Sequence, residues 1–242
     1  MLKVEIWSDV ACPFCYIGKR RFEAALEQFP GKADIEVIYR SFELDPHAEK
    51  NIGYDVHDML SKKYGMSRSE AKAMNANVGT QAEALGLQFN FDTLILTNTF
   101  DAHRLTHFAA QYGKRTEMTD RLFKAYFTDS KHLGDPVTLA ELAAEIGLDP
   151  VEAAKIIAGD QFSEEVRAEE QEAARLGIRG VPYFVIDRKY AVSGAQPSEL
   201  FLQALEKAWS ENQPLTVLNN TENAAPVDAA CDDGFCTPPD KK

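Results

Sequence analysis

Cysteine is scarce in this chain of 242 residues, with four in all, at Cys12, Cys15, Cys231 and Cys236. So few cannot staple a fold of this length, which excludes a disulfide-built scaffold; two close pairs point to redox chemistry or metal binding instead. Positive charge is in deficit too. With 26 Lys and Arg against 38 Asp and Glu the formal net charge is −12, so a nucleic-acid backbone or an anionic membrane is repelled at long range, and no local basic patch reverses this. Long hydrophobic runs are missing. None approaches the roughly 20 residues of a membrane span, and Met1-Leu2-Lys3 leads straight into Val4-Glu5-Ile6-Trp7 with no apolar leader or cleavage site. The expectation is a cytoplasmic protein with neither nucleic acid nor membrane as partner. What is present is an ordinary globular composition, 45% hydrophobic and 10% aromatic, enough to bury a substantial core.

Leu2, Val4 and Ile6 alternate as in a strand until Ser8 and Asp9 break the pattern, and from Pro13 to about Phe29 the residues Ile17, Phe22, Ala25 and Leu26 recur at helical spacing up to Pro30-Gly31. Ile35 to Tyr39 reads as a second strand, so the chain opens βαβ with a parallel pair. From His57 to Gly177 strand character disappears. Ser67-x-x-Glu70, Thr138-x-x-Glu141 and Asp149-x-x-Glu152 read as capping boxes that start helices; further helical periods cover Asn98 to Tyr112, Thr116 to Thr128 and Ser163 to Leu176, with Gly177 as a left-handed stop. Tyr183 to Ile186 and Tyr190 to Val192 form a hairpin, and a last helix begins near Pro197. The expected fold class is α/β: a thioredoxin-like βαβ…ββα domain made of 1–56 and 178–210, a large helical insertion over 57–177, and a tail over 211–242 that carries the second cysteine pair.

Disulfide exchange needs a thiolate nucleophile, a second thiol to release the trapped mixed disulfide, and access for the substrate. Cys12-Pro13-Phe14-Cys15 sits where a strand feeds a helix N-terminus, whose unpaired N–H groups and dipole favour a thiolate on Cys12. Cys12 is then the attacking residue and Cys15, one turn in, the resolver. CxxC by itself also fits half a zinc site. His103 and His107, four apart, have ligand spacing but no accompanying general base, and no metal is assigned to them. Asp101, His103 and Arg104 are read as interface residues or polar contacts near the active site. Trp7 and Phe14 are candidates for an apolar substrate rim, with the core as the other reading for Trp7. Asp9 adds negative charge near the thiols, and Lys19 and Arg20, about two turns along, are expected to be screened.

Cys12-Pro13-Phe14-Cys15-Tyr16-x-Gly18, Ala102-His103-Arg104-Leu105, Gly180-Val181-Pro182-Tyr183-Phe184 and Ser193-Gly194-Ala195-Gln196, in this order, resemble the DsbA-like oxidoreductases of the FrnE type from Val4 to about Trp209. The resemblance implies a thioredoxin fold with a helical insertion and a cis Val181–Pro182 bond facing Cys12 and Cys15, where the Val181 backbone pairs with an extended substrate. It implies protein thiol–disulfide oxidoreductase or isomerase activity without a cofactor, on thiol- or disulfide-containing proteins, with glutathione or a thioredoxin-type protein as electron partner. Cys231-x-x-x-x-Cys236 resembles an additional motif of some FrnE proteins, a second redox pair. Phe14 stands where DsbA has a histidine, which weakens the case for a strong oxidant. Two alternatives stay open: a glutathione-dependent isomerase or kappa-class transferase of the same fold, against which the intact dithiol argues, and a zinc-binding interaction protein using all four cysteines.

Overall fold

The computed structural model describes residues 1–211 and, beyond them, only the backbone pairing of Cys231–Asp232 with Phe235–Cys236. Residues 1–212 cluster as one compact unit and 213–242 as a second. The first unit begins with β1 (Leu2–Ser8), α1 (Pro13–Gln28) and β2 (Ile35–Ser41). Seven helices follow: α2 (Val56–Tyr64), α3 (Arg68–Glu83), α4 (Phe100–Ala110), α5 (Arg115–Phe127), α6 (Pro136–Glu145), α7 (Pro150–Ala158) and α8 (Ser163–Arg175). The chain then returns through β3 (Tyr183–Ile186), β4 (Tyr190–Ser193) and α9 (Ser198–Glu211). The sheet runs β2-β1-β3-β4. β1 pairs parallel with β2, Val4 opposite Val37, and antiparallel with β3, Ile6 opposite Phe184.

Because β1 is central, both its faces are covered. Leu2, Val4 and Ile6 meet Phe22 and Ala25 of α1 and Phe201 and Leu205 of α9, where the Phe22, Phe184 and Phe201 rings lie 4.5–5.7 Å apart. Trp7, on the opposite face, packs with Ala173, Ile178 and Val185. The start of α1 belongs to another core. Cys12, Cys15, Tyr16 and Ile17 join the helical cluster with Leu105, Phe123 and Tyr126, and the Tyr16 ring stacks on Phe123 at 4.9 Å. One helix therefore spans both cores and holds the dithiol where they meet.

Helix starts follow local chemistry. Ser67 closes a full capping box with Glu70 on α3, and Gly177 (φ 74°) ends the α8 segment in the left-handed conformation that glycine tolerates. Thr138 is not a cap. Asp135 is, accepting from the Thr138 N–H at 2.9 Å, and Pro136 takes the first helical position, a stronger start signal than a threonine three residues later. Asp149 caps α7 through the Val151 N–H, but Glu152 closes no box there; it accepts from the Tyr112 hydroxyl instead. No helix among the described residues is long and apolar enough to cross a membrane. In the second unit the backbone register sets Cys231 opposite Cys236 in an antiparallel pair; their side chains, and the rest of the tail, lie outside the described residues.

Candidate active site

β1 ends at Ser8, the chain turns through Asp9 to Ala11, and α1 starts with Cys12 as N-cap and Pro13 as first residue. The Cys12 N–H donates to the Asp9 carbonyl at 3.0 Å and the Cys15 N–H to the Cys12 carbonyl at 3.0 Å, which turns the dithiol back over the end of the strand. No acidic residue occupies the first turn of α1, so no carboxylate of that turn competes for the positive end of the helix dipole. The Cys12 sulfur lies 3.6 Å from the Val181 carbonyl oxygen, its hydrogen-bond partner on the loop before β3. That loop carries a cis Val181–Pro182 bond. Gly18 eases the approach: a Cβ there would stand 3.0 Å from Pro182 Cγ and 3.4 Å from Ala195, so any larger residue would have to push the loop back by a few tenths of an ångström. Arg21 donates to the Ala195 carbonyl and the Gly194 N–H to the Pro182 carbonyl at 2.9 Å, which fixes the second loop over α1.

The two thiols are in different settings. Burial, followed by the hydrogen bond and charge of Cys12, pushes the Cys15 thiol well above its ordinary pKa, against an opposing pull from the Ser8 side chain and the Asp9 N–H. Asp9 itself is buried, and its two carboxylate oxygens accept from the Ala11 N–H at 3.2 Å and the Leu44 N–H at 2.8 Å. Its negative charge is thus pinned by backbone donors, with His103 3.5 Å away.

Residues 3–206 match the DSBA-like thioredoxin domain. The chain belongs to that family. It is 45% identical to a probable DsbA oxidoreductase from Streptomyces coelicolor, with a TM-score of 0.85 over 99% of this chain and all of that one. It is also 32% identical to the uncharacterized protein YwbO of Bacillus subtilis (strain 168), over 87% of this chain and 96% of the relative. The cytosolic disulfide reductase DsbM of Pseudomonas aeruginosa, solved with GSH, shares the fold: TM-score 0.61, 17% identity, 86% of this chain and 99% of that one. This DSBA-like protein is accordingly an oxidoreductase of the thioredoxin fold.

The remaining candidates fall into place around that frame, some of them differently from the sequence reading. Phe14 is 42% exposed beside Cys12, as a substrate rim requires. Trp7 is not part of a rim: it is 0% exposed, and its indole N–H donates to the Glu169 carbonyl at 3.0 Å, because the central strand is covered on both faces. Lys19 is not a screened surface charge either. It is buried under Tyr39 and neutralised by Asp120 at 2.7 Å and by Glu23. Asp101 and Arg104 are buried and tie separate elements together. Arg104 donates to the carbonyls of Gly159 at 2.7 Å and Gln161 at 2.8 Å, fastening the end of α7, and to Asp101, which also pairs with Lys50. His103 and His107 face different partners, Asp9 and Glu169. Sequence reasoning missed Ser8 as a neighbour of Cys15, and a cavity of about 520 Å³ reaching from Ala11 and Pro13 to Met59, Phe91, Leu94 and Leu96. Its walls come from distant segments, and no local spacing announces it.

Proposed function

We propose that this protein exchanges disulfides in protein substrates, with Cys12 as nucleophile and Cys15 as resolving thiol. The observation that carries this reading is the Cys12 sulfur at the N-cap of α1, 3.6 Å from the Val181 carbonyl, with Cys15 one turn further in; both thiols are largely covered, Cys15 the more so. A thiol held at a helix start has donors for its thiolate form, and a backbone edge beside it offers an extended peptide a strand to pair with. Cys15, pushed up by burial, stays protonated until a mixed disulfide forms on Cys12. Phe14 and the mouth of the neighbouring apolar cavity supply contact area for apolar residues flanking the substrate cysteine. Phe14 offers the thiolate neither a cation nor an N–H, which favours reduction or isomerisation in the cytoplasm over strong oxidation, with glutathione or a thioredoxin-type protein closing the cycle and no cofactor. Cys231 and Cys236, opposite each other in the backbone register, form the second redox pair in this reading; facing antiparallel residues lie within the Cα separation that a disulfide needs.

The test is a pair of variants. Cys12→Ser should abolish insulin reduction and disulfide isomerisation, whereas Cys15→Ser should accumulate covalent substrate adducts on Cys12, visible by mass spectrometry. Equal loss in both without adducts would overturn the assignment of roles. Titration of the pair against glutathione then settles direction, on a scale from about −270 mV for a thioredoxin-like reductant to about −120 mV for a DsbA-like oxidant.

A further inference from the structure

The cavity beside the dithiol turn is larger than contact with a protein substrate requires. At about 520 Å³ it falls in the range that encloses a whole small molecule, whereas a single apolar side chain flanking a substrate cysteine would fill only a fraction of it. Its inner wall is apolar: Phe91, Leu94 and Leu96 are each no more than 8% exposed, and Met59 of α2 packs against the same core. Leu44 and Tyr54, 45% and 44% exposed, belong to the same lining and mark where it opens to solvent. Ala11 and Pro13 bound it at the turn that carries Cys12.

The charges on this lining are segregated by element. Asp9 and Asp45 belong to the dithiol turn and the loop tied to it, and backbone N–H groups already occupy both carboxylates: Ala11 and Leu44 donate to Asp9, His47 to Asp45. Lys62 and Lys63 stand on the last turn of α2. Among the described residues neither has a carboxylate within ion-pair distance; the Lys62 ammonium lies 4.6 Å from the centroid of the Tyr54 ring, at the opening. At the start of that helix Asp55 and Asp58 pair with Arg68 instead. The chain carries 38 acidic against 26 basic residues, so two adjoining lysines without an acid, at the rim of an apolar cavity, form a local pattern complementary to an apolar molecule with an anionic head.

We propose that this cavity binds a free long-chain carboxylate, its acyl chain against Met59, Phe91, Leu94 and Leu96 and its carboxylate at Lys62 and Lys63. A neutral or cationic amphiphile gains the same apolar burial without the charge contact, and Asp9 and Asp45 keep the anionic head from the dithiol side. The tail of the chain is thereby directed towards Ala11 and Pro13. No bond to either cysteine forms. An occupied cavity removes the surface on which the apolar flank of a protein substrate rests, so the ligand competes with protein substrates. That competition rests on the dithiol reading above, whereas the binding itself does not.

Titration calorimetry of the reduced full-length protein with decanoate, below its micelle concentration, tests the site directly. One molecule should bind per chain, and each methylene removed from the probe should weaken binding by about fourfold, the loss expected when apolar surface stays in water. Decyltrimethylammonium should bind more weakly than decanoate. The double variant Lys62→Gln, Lys63→Gln, at exposed positions, should weaken decanoate by about tenfold, the scale of two partly screened ion pairs, and leave decanol unchanged. Met59→Trp, which fills the cavity, should weaken both. In an insulin-reduction assay decanoate should raise KM and leave exchange with hydroxyethyl disulfide as it is. The site is overturned by the absence of saturable binding, by equal affinity for the ammonium probe, or by decanoate affinity unaltered in the lysine and Met59 variants. Saturable binding with an unchanged KM for insulin overturns the competition. If the wild-type protein reduces no insulin at all, the dithiol reading fails, and calorimetry alone decides the site.

Discussion

Two polar regions flank α4, one turn apart, and they differ in how many charged partners they gather. Around His107 one carboxylate gathers several donors. The Glu169 carboxylate accepts from the Ser41 N–H at 2.7 Å, Arg115 at 2.8 Å and Arg40 at 3.0 Å, and meets His107 Nε2 at 3.1 Å. Burial works against its charge, yet His107, Arg115 and the Ser41 N–H overcome it and hold the carboxyl far below the ordinary range. Around His103 the contact is looser, its Nε2 standing 3.5 Å from Asp9 Oδ1. The Glu169 network joins β2, α4, α5 and α8 through charge-assisted hydrogen bonds, whereas His103 and Asp9 meet behind the turn that carries the dithiol.

The largest effect is expected on the Glu169 side. Glu169→Gln leaves Arg115 and His107 without their counter-charge and should destabilise the fold by about 3–5 kcal/mol, read as a lower denaturation midpoint, while the rate of disulfide exchange per folded molecule stays unchanged. If exchange falls in proportion with stability, the two regions are not separable. Acid should act in the same direction. A carboxyl held low in the fold contributes stability above its unfolded pKa of about 4.3 and loses it as pH falls through the folded value. The melting temperature should accordingly drop below about pH 4, and Glu169→Gln should flatten that drop.

A middle-sized effect is expected where the backbone loops converge. Gly18→Ala forces a Cβ to within 3.0 Å of Pro182. Overpacking of this kind costs about 1–3 kcal/mol, and because Pro182 belongs to the loop beside Cys12, exchange should slow as well. Wild-type activity in the alanine variant would mean that the loop shifts freely. The smallest effect on stability is expected at the rim. Phe14→Ala should change stability by no more than about 0.5 kcal/mol, raise KM for protein substrates and leave exchange with small disulfides as it is. A change confined to small disulfides would remove Phe14 from the substrate surface.

The residues that local patterns place correctly share a feature: their neighbours in space are their neighbours in sequence. Alternation in Leu2 to Ile6, Pro13 at the first position of α1, and the polar turn between Tyr183–Ile186 and Tyr190–Ser193 suffice to put Cys12 at a helix start and to form the returning hairpin. Pro182 is different. Nothing in its spacing distinguishes it from an ordinary strand-start proline; resemblance to a known pattern supplied its cis bond, which the fold contains. Misreadings occur where a local rule meets a distant partner. Alternation marks one buried face, so Trp7 looks available for a rim until α8 and β3 cover the other side. Lys19 reads as a solvated cation until Asp120, from α5, reaches it.

Composition and periodicity are enough to establish an α/β protein, and the Cys12-Pro13-Phe14-Cys15 run is enough to place a dithiol at a helix start, because strand alternation, helix capping and the orphan N–H groups of a first turn are properties of consecutive residues. The packing of segments far apart in the chain settled everything else about the site. It put Val181 3.6 Å from the Cys12 sulfur, opened an apolar cavity beside Pro13, and set His103, more than 90 residues downstream, against Asp9. Burial and long-range contact depend on what folds over a residue, and a side chain carries no record of that in its own stretch of sequence.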